Sequence, residues 1–176
     1  MKTLSRVLGT ALGTLLFALP HIARAEQVDP ELASKIILKI LVLDTELQAK
    51  TSGSVRIAVI GSSGAFDAFK ALKGSPIDKD KGFLVSDVES LEALPPSSKP
   101  TIVFVGEGAD PSSVTAYTRK HHVLSVTNVP SYVEQGVTLG IGIENNRPKV
   151  ILNLTGSESE GLNWDAKILK ISKTIR

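Results

Sequence analysis

Four short runs rich in β-branched residues, at 55–60, 83–85, 101–105 and 123–127, recur through the first two-thirds of the chain. Each connection between them is 13 residues or longer. A hairpin needs only a few residues, so connections of this length predict crossover helices and a parallel sheet. The run Thr101-Ile102-Val103-Phe104-Val105 is almost continuously apolar, as expected of a strand covered on both faces.

The intervening segments carry helix signals. Asp29-Pro30-Glu31 combines an N-cap, a first-turn proline and an acid that complements the helix dipole, followed by an apolar stripe at Leu32, Ile36, Ile40, Leu43 and Leu47. A short helix with Phe66, Phe69 and Leu72 turned inward is expected after Gly61-Ser62-Ser63-Gly64. A brief helical turn is expected at 88–94, stopped by Pro95-Pro96, and a longer helix from Pro111 to about His121.

The pattern changes after Gly136. Val137, Leu139, Ile141 and Ile143 alternate with Thr138, Gly140 and Gly142, and Glu144-Asn145-Asn146-Arg147 forms a turn into a second apolar strand. This predicts a hairpin closing one edge of the sheet, with the glycines admitting a close neighbour and Pro148 at a strand start or edge. A last helix is expected from Asp165, with Ile168, Leu169, Ile171 and Ile175 on one side and Lys167, Lys170, Lys173 and Arg176 toward its end. Linkers are confined to 26–28 and 156–160. The predicted class is α/β: a mostly parallel sheet with helices on both faces, a C-terminal antiparallel β-hairpin and a final helix.

Met1–Ala25 reads as a cleavable signal peptide, with three basic residues, no acidic one, an apolar run of 13 residues and an Ala23-Arg24-Ala25 ending. That run is too short for a comfortable bilayer span, so residues 26–176 are expected as one exported domain with no membrane span. Three of the 20 Lys+Arg and none of the 18 Asp+Glu lie in the leader, which leaves residues 26–176 at net −1. A near-neutral domain has no basic stripe for nucleic-acid phosphates. With no cysteine in the chain, disulfides, thiolate nucleophiles and cysteine-held metals are excluded.

Candidate chemistry is sparse. Gly61-Ser62-Ser63-Gly64 lacks the Gly-x-Ser-x-Gly spacing of a nucleophile elbow and matches neither a dinucleotide nor a P-loop pattern. It reads either as an ordinary strand-to-helix turn or as backbone amides offered to an anion. His121 and His122, adjacent on a helix end, point apart and make a poor metal pair. Asp67, Asp78, Asp80, Asp87, Glu89, Glu107 and Glu144 are scattered, with nothing in the sequence to set two of them across a cleft. In open parallel sheets ligands sit outside the carboxyl ends of the strands. Ser62, Ser63, Glu107 and Asn128 are therefore the candidate ligand-binding residues; Gly106 and Gly108 serve equally as turn formers. No cofactor and no metal are expected.

The stretch from Gly136 to Arg147, Val150-Ile151-Leu152-Asn153-Leu154, and Gly161-Leu162-Asn163-Trp164 running into Lys167-Ile168-Leu169-Lys170-Ile171 together resemble the C-terminal signature of the YfiR-like periplasmic proteins. Lys35 to Leu41 ahead of the strand 55–60 is similar to the N-terminal part of that family. The resemblance implies an exported α/β regulator. In the best-known branch, such a protein binds the periplasmic sensor part of an inner-membrane diguanylate cyclase and represses it, keeping cyclic di-GMP and biofilm output low. The cysteines tied to redox control in that branch are absent here, so that control does not carry over.

The expected function is thus a non-enzymatic periplasmic regulator of a membrane diguanylate cyclase or sensor kinase, in which Lys167, Lys170 and Lys173 offer a cationic contact; a homodimer is compatible with it. The alternative is a small-molecule binding module resembling one lobe of a solute-binding protein. A hydrolase using Ser62 or Ser63 is the outsider.

Overall fold

A computed structural model describes residues 26–41, 55–73 and 82–176. The leader, the continuation of the first apolar stripe at Leu43 and Leu47, and Asp78 and Asp80 lie outside these residues.

The elements in chain order are β1 (Glu26–Gln27), α1 (Pro30–Ile40), β2 (Val55–Ile60), α2 (Ser63–Ala71), β3 (Phe83–Asp87), β4 (Ile102–Val105), α3 (Pro111–His121) and β5 (Leu124–Thr127). They continue with α4 (Pro130–Glu134), β6 (Leu139–Glu144), β7 (Arg147–Asn153), α5 (Leu154–Ser159), α6 (Ala166–Ile171) and β8 (Ser172–Ile175). The strands form one sheet in the order β3-β2-β4-β5-β6-β7-β8, with β1 beside β6. Pairings from β3 through β6 are parallel, as the long connections require. β6–β7 is an antiparallel hairpin, and its turn residues Asn145 and Asn146 take φ of 52° and 57°, the mirror-image turn that matches strand twist.

Helix starts follow their caps. Asp29 Oδ1 accepts from the amides of Glu31 at 2.9 Å and Leu32 at 3.4 Å. Asp110 accepts from the Ser112 and Ser113 amides, each at 3.1 Å. Alternation along β4 divides the core: Ile102 and Phe104 join Ile37 of α1, Phe69 of α2 and Ile168 of α6 on one face. Val103 and Val105 join Val114 of α3 and Leu91 on the other. Phe69 meets Phe104 edge-on, centroids 5.6 Å apart.

Four expectations are corrected. The hairpin does not close the sheet: β8 adds to β7 in parallel and forms the edge. The last helix ends at Ile171, and Ser172–Ile175 is a strand, because pairing with β7 satisfies a backbone that a longer helix would leave facing solvent. Pro95-Pro96 does not end a helix over 88–94; Pro96 opens a 3-10 turn through Ser98. Residues 26–28 and 156–160 are not linkers. Val28 is buried behind β1, and 156–160 belong to α5 and its buried end.

Candidate functional site

The sheet order sends the chain from β2 outward to β3 and then back across to β4. That reversal is the position where doubly wound sheets place ligands. Here the crevice is filled by the chain itself. Gly106 N–H donates to Ile60 O at 2.8 Å, and Gly108 N–H to Gly61 O at 3.0 Å. A Cβ at Gly61 would lie 2.4 Å from the Ala109 amide nitrogen, and one at Gly106 only 2.3 Å from Ser62 Cβ. These glycines are therefore required by backbone-to-backbone contact between the loops after β2 and β4.

The open space is displaced to one side, into a cleft of about 550 Å³ between the loop after β2, residues 87–92 and the start of α3. Ser62, Ser63, Asp87, Glu89, Ser90, Glu92, Asp110 and Ser113 line it, and among the described residues no lysine, arginine or histidine does. Two carboxylates that looked scattered in sequence, Asp87 and Glu89, thus share one cleft with Glu92 and Asp110, because β3 and β4 end at the same rim of the sheet. Asp110 is held below the ordinary carboxylate range, chiefly by the hydrogen bond from the Ser113 hydroxyl and then by the capped amides. Ser62 Oγ accepts from the Ala65 amide at 3.2 Å as the α2 cap. Among the described residues the lining offers no imidazole or lysine to activate Ser62 or Ser63 as a nucleophile.

The cleft does not include the other two candidate ligand residues. The Glu107 carbonyl accepts from the Tyr132 hydroxyl at 2.9 Å, and its side chain stands outside the lining. Asn128 is 1% exposed, and its Nδ2 donates to Val28 O at 2.8 Å, holding the first described residues against the body. His121 packs on the Tyr117 ring, centroids 4.4 Å apart, while His122 ends α3 in the left-handed region. Among the described residues no group of three or more His, Asp or Glu is arranged to hold a metal ion.

At the other end, Asp165 caps α6 through the Lys167 amide at 2.8 Å. Only Ile168 of this helix is buried; Leu169 and Ile171 stay 46% and 50% exposed, and Lys167 and Lys170 stand beside them in solvent. Lys173 lies on β8, not on the helix, with Nζ 3.5 Å from Glu144 Oε1.

One group with unusual chemistry was not singled out in the sequence. Glu160, at the end of α5, is 0% exposed and has no cationic partner among the described residues. Its carboxylate accepts from Thr118 Oγ1 and Ser125 Oγ, both at 2.6 Å, and from the Ser125 amide at 3.0 Å. Burial pushes its carboxyl above the ordinary value despite these bonds. The available signal was local: Asn153 caps α5 through the Gly156 amide at 2.8 Å while its Nδ2 clamps Val133 O at 2.9 Å, so Asn-Leu-Thr-Gly opens a helix.

The fold and its sites define a doubly wound α/β domain with an acidic cleft and an exposed apolar-cationic helix. Among the described residues no helix is long and apolar enough to cross a membrane. The YfiR/HmsC-like family model matches residues 30–173, and the chain belongs to that family, which comprises periplasmic regulators. The fold is similar to the crystal structure of a conserved domain protein from Vibrio cholerae O1 biovar El Tor strain N16961, with a TM-score of 0.57 and 12% identity over 86% of this chain. The match spans 61% of that protein's chain. No curated protein matches the sequence.

Proposed function

We propose that this protein is exported by cleavage after Ala25 and acts without catalysis, binding the periplasmic sensor part of an inner-membrane diguanylate cyclase and repressing it. The observation that carries this reading is the face of α6. Leu169 and Ile171 are half exposed on the same short helix as the exposed Lys167 and Lys170, and only Ile168 of that helix is buried. Exposed apolar and cationic side chains on one helix suit a partner surface that offers both apolar and acidic groups. Repression then works by population shift: binding selects the inactive conformation of the sensor, and release restores activity.

Crosslinking of the tagged protein in intact cells, read by mass spectrometry, tests the partner. Capture of a membrane cyclase through α6 supports the reading, and capture of no membrane signalling protein overturns it. The double variant Lys167→Glu, Lys170→Glu is expected to raise cyclic di-GMP with an unchanged melting temperature. Unchanged signalling removes α6 from the interface.

The cleft of about 550 Å³ favours a second reading, a module for a small ligand. Its acidic lining selects a cationic, hydroxyl-bearing molecule contacting Ser62 and Ser63. A metabolite screen with no thermal shift ends that reading.

A further inference from the structure

The N-terminal rim of the sheet, opposite the acidic cleft, holds a smaller depression of about 240 Å³. Arg56 of β2, Lys99 and Thr101 ahead of β4, and His122 after α3 line it, with Pro100 and Leu162 as apolar wall. Among the described residues no carboxylate lines it, and the two ion pairs, Lys35–Glu31 and Lys173–Glu144, lie elsewhere. Three nitrogen-bearing side chains from separate segments therefore converge with no counter-charge among the described residues, in a domain whose residues 26–176 carry net −1.

Arg56 is held in place. Arg56 Nε–H donates to Lys99 O at 2.7 Å, its backbone amide donates to Thr101 Oγ1 at 3.2 Å, and its carbonyl accepts from the Thr101 amide at 2.8 Å. The guanidinium is thereby anchored through Nε, leaving its two terminal nitrogens as a fork for a bidentate oxyanion. Thr101 Oγ1 is an acceptor in this bond, so its hydroxyl proton is available to donate. His122 has a left-handed backbone, φ 51°, and its ring lies close to Gly161, where a Cβ would come within 3.2 Å of Nδ1.

We propose that this depression binds a phosphate group, either as the free ion or as the head of a phosphate ester such as an anionic lipid. Donors approaching from several directions suit the spread acceptors of a tetrahedral oxyanion, and the proline–leucine wall suits the organic part of an ester. The site is independent of the α6 face and of the acidic cleft.

The test is titration of the isotope-labelled full chain with inorganic phosphate at constant ionic strength, followed by amide chemical shifts. Saturable shifts at Arg56, Thr101 and His122 are expected, with affinity cut about tenfold or more in Arg56→Gln and in Lys99→Gln. Lys99 spends no side-chain hydrogen bond among the described residues, so Lys99→Gln leaves the fold intact if Arg56→Gln does not. Co-sedimentation with phosphatidylglycerol vesicles, against phosphatidylcholine alone, assigns the lipid head group when it depends on Arg56. Binding of inorganic phosphate alone assigns the free ion. Absence of both, or equal binding by wild type and both variants, overturns the proposal.

Discussion

Glu160 is the residue on which the C-terminal third turns. A buried carboxylate without a cation is costly, and here three donors from α3 and β5 offset part of that cost. Glu160→Ala would strand the Thr118 and Ser125 donors and open a void, so a loss of about 2–4 kcal/mol in chemical denaturation is expected. The pH dependence has a definite sign. Because burial raises the folded-state value above 4.5, the native state holds this proton more tightly than the unfolded chain does. The contribution is present in full below 4.5 and is lost as pH rises through the folded value. Glu160→Gln should flatten the stability profile in that window; an unchanged slope refutes the assignment. Gly106 is constrained differently, by space alone. A methyl there meets Ser62 Cβ and Gly61 O, and Gly106→Ala should cost about 1–3 kcal/mol by denaturant midpoint.

Among the elements, those with strong internal signals were legible. Capped α1 and α3, the four parallel strands and the Asn-Asn hairpin turn all follow from residues within one segment. The short pieces were not. α4 opens with Pro130 and α5 with Asn153, both local start signals, but five- and six-residue helices have too little periodicity to stand out. The tail misled for the opposite reason: Ile168, Ile171 and Ile175 fit a helical stripe, yet β7 presents an unpaired edge that captures 172–175 as β8. Deleting Ser172–Arg176 should therefore uncover the β7 backbone and lower the melting temperature by several degrees. A melting temperature equal to that of the intact chain would show that β8 adds nothing to stability.

At the scale of the whole molecule, Asn128 ties the start of the described chain to the middle of the sheet, since its bond to Val28 O bridges 100 positions of sequence. Asn128→Ala should cost about 1–2 kcal/mol and speed amide exchange at Gln27 and Val28, a change that hydrogen-exchange mass spectrometry would detect. Unaltered exchange there would show that β1 pairing alone holds the segment. Charge is also distributed at this scale: carboxylates gather at the carboxyl rim, Arg56 and Lys99 at the opposite rim, and Lys167 and Lys170 on α6. Lys167 and Lys170, three apart on one helix, could be read from the sequence, whereas the two rim groupings are assembled by the sheet order. Periodicity, caps and connection lengths are properties of neighbouring residues, so the α/β class, the parallel strands and the main helices could be read from the amino acids directly. The displaced cleft, the burial of Glu160 and the edge position of β8 depend on which strand lies beside which. That order brings residues 40 and more positions apart into contact, as with Thr118 and Glu160, and it exists only once the sheet has formed.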